Sequence, residues 1–218
     1  MKRIVLFSLP IVMAVSGCAR APFRTGGGTS VEDVLRKTSD IQITLDEEYG
    51  YRLAGEKEEV FSSKRSRWDG LPFRWPIRNI QVNSRFGRRG GRAHTGTDLQ
   101  ARTGTPIKAS LGGIVVFADD RISGYGDTVM IRHVRGISTL YAHCSDLLVR
   151  EGDWVIQGQR IALSGESGRA SGPHVHFELR DGLEAVDPER VLAAARIAEA
   201  AAESQRSSTT LETDVGEP

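Results

Sequence analysis

Short apolar runs separated by turn residues dominate the middle of the chain. Between Gly70 and Gly182, a region that holds 17 of the 24 glycines, β-branched and aromatic residues recur in short segments. The segments are 106–109, 113–118, 127–133, 138–143, 154–156, 160–163 and 174–179. Strands of this length at such spacing are typical of all-β sandwiches and barrels. We therefore predict a mainly β fold, an antiparallel barrel or sandwich.

Turn and cap residues predict two further local features. Arg135-Gly136 stands between two β-rich runs and predicts a hairpin turn there. Ser30, with Asp33 three residues later, predicts the start of a short helix that ends near Lys37.

A second helix is predicted after the β region. Asp187 is a favourable N-cap residue, and Pro188 suits the first helical position. The alanine-rich residues 188–203 are helix-prone, whereas the polar stretch 204–218 is expected to be disordered.

The N-terminus has the layout of a secretory signal. Lys2 and Arg3 precede the apolar stretch Ile4–Val15, which has 12 residues. A membrane-spanning helix needs about 20 apolar residues, so a cleaved signal is favoured over a span. Val15-Ser16-Gly17-Cys18 resembles a bacterial lipobox. This resemblance implies cleavage before Cys18 and a lipid on Cys18 that anchors the chain to a membrane.

Composition and charge exclude several classes of protein. The chain has 218 residues, two cysteines and a formal net charge of +1. Two cysteines exclude a disulfide-rich mini-protein and a multi-cysteine zinc site. Near-neutral charge without a binding motif argues against a nucleic-acid partner. Residues 31–60 are acidic and residues 64–92 basic; the basic stripe either contacts an anionic polymer or lipid headgroups, or is a solvated surface.

Metal chemistry has to come from the histidines, and four of the five lie in three short motifs. His94 and Asp98 have the spacing H-x-x-x-D, and in an extended segment both side chains face the same side. His143 ends the motif Leu140-Tyr141-Ala142-His143.

The third motif is a strand with one polar and one apolar face. His174, His176, Glu178 and Arg180 alternate with Val175, Phe177 and Leu179. Two of the imidazoles and one carboxylate make a three-ligand set suited to zinc with an open position for water. Two further histidines then remain for proton transfer or oxyanion stabilisation.

Taken together, these motifs resemble the LytM/lysostaphin-type zinc metallopeptidases, a family of peptidoglycan endopeptidases. The resemblance covers the chain from Trp75 to Pro188. The motifs are Ser84-Arg85-Phe86-Gly87-Arg88, the His94/Asp98 pair, Gly104-Thr105-Pro106, Gly124-Tyr125-Gly126, Tyr141-Ala142-His143, Gly152-Asp153, Gly158-Gln159 and Gly172-Pro173-His174-Val175-His176-Phe177-Glu178. The resemblance implies an antiparallel barrel-sandwich fold (a duplicated hybrid motif) with the metal in a groove.

The resemblance also implies a role for each of five side chains. His94, Asp98 and His176 are expected to bind one Zn²⁺, and His143 and His174 to be catalytic residues that are not ligands. The expected substrates are peptide bonds in the stem or cross-bridge peptides of peptidoglycan. The expected location is the cell envelope, with the lipid on Cys18 in the outer membrane and the protein facing the periplasm.

Two functions without catalysis compete with hydrolysis. Some members of the family lack metal ligands and activate other wall hydrolases, and retention of all five positions argues against that role here. A wall-binding adaptor would use residues 19–70. We therefore expect an active zinc endopeptidase. The alternative is a LytM-type lipoprotein that activates a cell-wall amidase, which would make another wall hydrolase its partner.

The expected organisation has four parts. They are a lipoprotein signal peptide at 1–17, a lipidated tether and N-terminal arm at 18–70, the LytM-type peptidase domain at 71–190, and a helix with a disordered tail at 191–218. The acidic part of the arm is a candidate for covering the groove as an autoinhibitor.

The remaining candidate residues receive structural interpretations. His133 is expected to be structural, and Cys144 a small residue of the core or cleft wall. Glu178 either orients a metal ligand or is a surface charge. Three aromatic residues are expected to pack where the arm meets the domain, or to line a glycan groove: Trp68, Phe73 and Trp75.

Overall fold

The protein is mainly β-sheet. The computed structural model describes residues 29–41, 43–46, 50–53, 67–68 and 70–197, so the predicted signal peptide, Cys18 and the tail 204–218 lie outside it. The strands are β1 (Ile43–Asp46), β2 (Gly50–Leu53), β3 (Val82–Ser84), β4 (Gly87–Arg89), β5 (Arg92–His94), β6 (Thr97–Gln100), β7 (Pro106–Lys108), β8 (Gly113–Asp119), β9 (Asp127–Arg132), β10 (Ile137–Leu147), β11 (Trp154–Val155), β12 (Arg160–Ser164), β13 (His174–Asp181) and β14 (Glu184–Val186). The helices are α1 (Val31–Lys37) and α2, which is described over residues 188–197. Neither helix, as far as it is described, is long and apolar enough to cross a membrane.

Ten of the described strands form one sheet. Its main path runs β11–β8–β9–β10–β13–β6–β3; β14 pairs with β13, and β12 joins β10 to β7. Every strand pairing in it is antiparallel. The predicted mainly antiparallel β fold is confirmed, but these strands form open sheets and not a closed barrel.

The central strand β10 separates two apolar cores. Because side chains alternate between the faces of a strand, Ile137 and Tyr141 enter one core, whereas Leu140 and Ala142 enter the other. The eight residues from Ile137 onward are all buried. Elements on both faces therefore hold this strand, and they fix the position of its end, where the site lies.

The helix α1 covers the second core. Ser30 and Asp33 form a capping box, and the helix ends at Lys37, as the cap pattern predicts. The buried face of α1 consists of Val31, Val34 and Leu35, which pack against Val116, Phe117, Ile122 and Met130 of the sheet side.

The hairpin turn between β9 and β10 lies at the predicted residues. Arg135 and Gly136 have φ values of 58° and 69°, the left-handed conformation that a tight two-residue hairpin loop requires at both central positions. Glycine tolerates this backbone without strain, and here a single arginine accepts it.

The three aromatic residues expected to pack at the arm, and Cys144, all contact the first apolar core. Phe73 is buried, and the ring of the partly buried Trp75 lies 6.2 Å from that of Phe177. Trp68 packs against the same core, and Cys144 is a buried free thiol whose pKa burial raises to about 12.

His133 lies in the core, apart from the other histidines. Its side chain is fully buried; Nδ1 donates to the Gly112 carbonyl over 2.9 Å, and Nε2 lies 2.7 Å from the Thr139 hydroxyl. Burial lowers the pKa of His133 to about 4. The ring is therefore neutral at pH 7, as a structural histidine requires.

We expect His133 to make the protein less stable in mild acid. Between pH 6.5 and 4 the unfolded chain binds a proton that folded His133 excludes. The free energy of unfolding therefore decreases as the pH is lowered through this window, and at pH values below the window it is smaller by about 3 kcal/mol. Urea unfolding from pH 7 to 4, with EDTA present to remove metal effects, should show a weaker dependence in His133→Gln. Parallel pH profiles for the two proteins would contradict this assignment.

Candidate metal centre and active site

The strand β13 presents His174 and His176 on one face, as the alternation predicts. In the pairing of β13 with β6, His176 lies directly opposite Asp98. Side chains at directly opposite positions of an antiparallel pair are close neighbours. The register of the sheet thus brings Asp98 to His176, although 78 residues separate them in the chain.

His94 reaches the same place by a different route from the one expected. His94 ends β5, the chain bends at residues 95–96, and Asp98 lies in β6, so the two residues are not on one extended segment. Gly96 permits this bend to lie against β13, because a Cβ there would lie 2.5 Å from the Phe177 carbonyl and 2.9 Å from Nε2 of His176.

These three residues form a compact set of donor atoms. Oδ1 of Asp98 lies 3.1 Å from Nε2 of His94 and 2.8 Å from Nδ1 of His176. One ligand atom from each residue falls within 4.8 Å of the other two. Two imidazole nitrogens and one carboxylate oxygen suit zinc, and three protein ligands leave one tetrahedral position open. The donor set fits a single Zn²⁺, and the ligand roles stay the prediction drawn from the resemblance.

The second nitrogen of each imidazole is held by a hydrogen bond. Nδ1 of His94 donates to the Arg85 carbonyl over 2.7 Å, and Nε2 of His176 donates to Glu178 over 3.0 Å. Such partners fix the tautomer and orientation of a metal-binding histidine. The opposite nitrogen of each ring is thereby directed at Asp98 and the common site.

Glu178 is a buried hydrogen-bonding centre, and the surface-charge interpretation of this residue is wrong. Its side chain is fully buried. Oε1 also accepts from the Tyr125 hydroxyl at 2.7 Å and from Thr95 at 2.6 Å, and Oε2 accepts from Nε of Arg180 at 2.6 Å. Burial raises its pKa, but the contacts with His176 and Arg180 prevail and hold the pKa at about 2.

Sequence reasoning gave Thr95 and Tyr125 no role. Tyr125 belongs to the Gly124-Tyr125-Gly126 motif of the resemblance, and that motif could have pointed to it as a site residue. Its ring centroid lies 5.6 Å from that of His176. Thr95 lies inside the H-x-x-x-D motif and carries no signal of its own.

Asp98 and His176 stabilise each other's charged forms. Burial raises the pKa of Asp98, but a hydrogen bond and positive charge from His176 outweigh it and hold the pKa at about 2. Burial lowers the pKa of His176, and its carboxylate neighbours Asp98 and Glu178 outweigh that effect and raise it to about 9. The carboxylate of Asp98 is therefore ionised at neutral pH, which is the form that binds a cation, whereas His176 has to release a proton when a cation binds.

His143 occupies an irregular point of β10. It has φ of 60°, unusual for a residue other than glycine, and the register with β9 shifts between Tyr141 and Cys144. A local irregularity of this kind redirects a side chain, and backbone strain clusters at functional sites. Nδ1 of His143 donates to the Ser167 carbonyl over 2.8 Å, which holds the ring.

His143 and His174 lie beside the donor set as a pair. Their ring centroids are 4.7 Å apart, and Nδ1 of His174 donates to the Gly172 carbonyl over 2.8 Å. Burial, opposed by the bond to Ser167, lowers the pKa of His143 to about 4, so its ring is neutral at pH 7.

All five predicted site residues line one groove. Its walls come from the β5–β6 bend, the loop before β9, the end of β10 and the loop before β13. The lining residues are His94, Asp98, Ser123, Gly124, Tyr125, His143, Arg169, Ala170, Ser171, His174 and His176. None of them belongs to α1, so this part of the arm does not cover the groove.

Comparison with known proteins places the similarity over the β domain. Residues 92–188 match the model of a family described as Peptidase family M23. The DD-carboxypeptidase/endopeptidase Mpg of Neisseria meningitidis serogroup B is 42% identical over 119 residues, which cover 52% of this chain and 27% of that protein. A lipoprotein NlpD/LppB homolog of Pseudomonas aeruginosa is 38% identical over 114 residues, covering 52% of this chain and 37% of that one.

A solved structure shares the fold as well. The structure of a zinc-containing peptidase from Vibrio cholerae matches with a TM-score of 0.51 and 32% identity, covering 56% of this chain and 40% of that chain. The chain thus spans roughly a quarter to two-fifths of the length of these proteins.

Proposed function

Residues 92–188 of this chain are a Peptidase family M23 domain, and on that premise we propose that the protein is a zinc-dependent endopeptidase that hydrolyses peptide bonds in the stem or cross-bridge peptides of peptidoglycan. The resemblance drawn from the motifs is confirmed at the level of the family. Activity, substrate and metal identity are the further steps of the proposal.

One observation carries the proposal: five candidate groups converge in one groove. Three of them, His94, Asp98 and His176, form the donor set. The other two, His143 and His174, lie beside that set, and each has one ring nitrogen held by a backbone carbonyl. A site that had only to be structural would not need two further imidazoles lining the same groove as the donor set.

Bound zinc would supply a water of lowered pKa and polarisation of the scissile carbonyl. The protein's own part is proton handling and positioning. His143 is neutral, and its Nδ1–H is occupied by Ser167, so Nε2 is left to accept a proton from the attacking water. Nδ1–H of His174 is bound to the Gly172 carbonyl, so a second proton on Nε2 would let this ring hydrogen bond the carbonyl oxygen, while the proton accepted by His143 would pass to the leaving amine.

The groove offers no glutamate for the role of base. The sequence has no H-E-x-x-H motif. Glu178 is buried, and both of its oxygens accept hydrogen bonds from the protein. Proton transfer is therefore assigned to imidazole groups.

The cell envelope is the proposed location, with peptidoglycan as partner and a lipid on Cys18 as the anchor in the outer membrane. The name of the N. meningitidis relative, a DD-carboxypeptidase/endopeptidase, supports endopeptidase activity, and the name of the P. aeruginosa relative, a lipoprotein, supports the anchor.

Metal removal tests the function. Purified protein is incubated with isolated sacculi, with and without EDTA, and soluble muropeptides are analysed by mass spectrometry. We expect new peptide ends, their loss with EDTA and their return on adding Zn²⁺. Digestion that appears only when an amidase is added would favour the alternative, an activator of that amidase. Binding without cleavage under both conditions would favour a wall-binding adaptor.

A further inference from the structure

The helix α1 lies outside the family match and is nevertheless fixed to the β domain at both ends. Before the helix, Thr29 forms a parallel bridge with Ile122. After it, the guanidinium of Arg132 donates to the Thr38 carbonyl over 3.0 Å, which occupies a carbonyl at the helix end. With its three buried apolar residues, α1 is held in one position relative to β13.

Contacts run from α1 to a residue of the donor set. Glu32 of α1 accepts from Nη1 of Arg180 at 3.2 Å, and Nε of Arg180 donates to Glu178 at 2.6 Å. Glu178 in turn accepts from Nε2 of His176 at 3.0 Å. The order of contacts is thus Glu32, Arg180, Glu178 and His176.

Arg180 is the critical connection, because it compensates a buried charge. Its side chain is 3% exposed and that of Glu178 is fully buried. An ionised carboxylate taken out of water needs a well-oriented cation to offset its lost hydration. The guanidinium is planar and presents its donors in a fixed fork. Glu32 and the Leu183 carbonyl hold Nη1, so Nε stays aimed at Glu178.

We propose that Arg180 and Glu32 are positioning residues for His176, so that docking of α1 strengthens metal binding in the groove. The proposal rests on the proposed function only in taking His176 as a metal ligand. It predicts that a change on the surface of an N-terminal helix alters a metal centre that the helix does not touch.

The expected effects decrease with distance from the metal. Loss of an outer partner of a metal-binding histidine costs about 10–100-fold in affinity. Arg180→Lys keeps the charge and loses the fork, so we expect about a tenfold loss of zinc affinity. The Glu32 side chain is 49% exposed, and a pair that solvent screens is weaker, so Glu32→Gln should cost about two- to fivefold.

The experiment measures zinc affinity of the full chain by competition with a chromogenic chelator. The visible spectrum of the Co²⁺-loaded protein reports ligand geometry, and urea unfolding of the metal-free protein reports stability. Glu151→Gln is the matched control, since it makes the same chemical change at an exposed turn. We expect altered zinc affinity and an altered Co²⁺ spectrum in the Glu32 and Arg180 variants, and neither change in the control.

The double variant tests whether Glu32 acts through Arg180. If it does, Glu32→Gln combined with Arg180→Lys should bind zinc no more weakly than Arg180→Lys alone. Full additivity, or a Glu32→Gln affinity equal to that of Glu151→Gln, would overturn the proposal, as would failure of the unaltered protein to bind zinc. If zinc affinity depends on Glu32 and Arg180 in this way but the protein does not hydrolyse sacculi, the proposed function is overturned. The proposal that these two residues position His176 would then still be supported.

Discussion

Asp98→Ala should abolish both metal binding and hydrolysis. Oδ1 of Asp98 lies within 3.1 Å of the nearest nitrogens of both His94 and His176, so its removal takes the central atom from the donor set. Loss of an outer partner alone costs about 10–100-fold in metal affinity, and we expect the loss of a ligand to exceed about 100-fold. Release of muropeptides should fall to the level seen with EDTA.

Metal content after dialysis and kcat/KM on isolated sacculi measure this prediction. Asp120→Ala is the matched control, because Asp120 is exposed and lies outside the groove. Asp98→Asn extends the test. Asparagine keeps the shape of the aspartate side chain but not its negative charge, so zinc affinity should fall in this variant as well. A variant of Asp98 with unaltered zinc content and unaltered kcat/KM would remove it from the ligand set.

The sequence allowed prediction of the strands that carry strong periodicity and of the residues that meet in the groove. The alternation in β13 predicted His174 and His176 on one side, because a polar/apolar period of two is the pattern of a β-strand. The short strands β3, β4 and β5 have three residues each and were not predicted, since three residues do not establish a period. Convergence of His94 and Asp98 was expected for the wrong reason, because nothing in the spacing reveals a bend at Gly96.

Burial of the polar face of β13 is the larger difference. The sequence left open whether Glu178, on the face that also carries His176 and Arg180, is buried or exposed. In the structure His176, Glu178 and Arg180 are all buried. Their charges compensate one another, and Glu32 of α1 accepts a hydrogen bond from Arg180. Alternation gives the face on which a side chain lies; whether that face is exposed depends on elements far away in the chain. This is why the role of Glu178 stayed open from sequence and why α1 had no predicted connection with the site.

His143→Ala, by contrast, should keep the metal and lose turnover. His143 is not among the three clustered donors, and its Nδ1 is bound to the Ser167 carbonyl. Zinc affinity should therefore stay within about threefold, since such partners matter only where they orient a ligand. Acid–base catalysis by a positioned side chain contributes about 10²–10⁴-fold, and we expect kcat to fall by that factor with little change in KM.

The backbone at position 143 calls for a second variant. Its φ of 60° strains alanine, whereas asparagine tolerates the left-handed region better. His143→Asn should thus unfold at a urea concentration closer to that of the unaltered protein, yet lose as much of kcat as His143→Ala. Loss of zinc from both variants would make His143 a ligand. Recovery of kcat in His143→Asn would show that the backbone conformation, and not the imidazole, is what hydrolysis requires at this position.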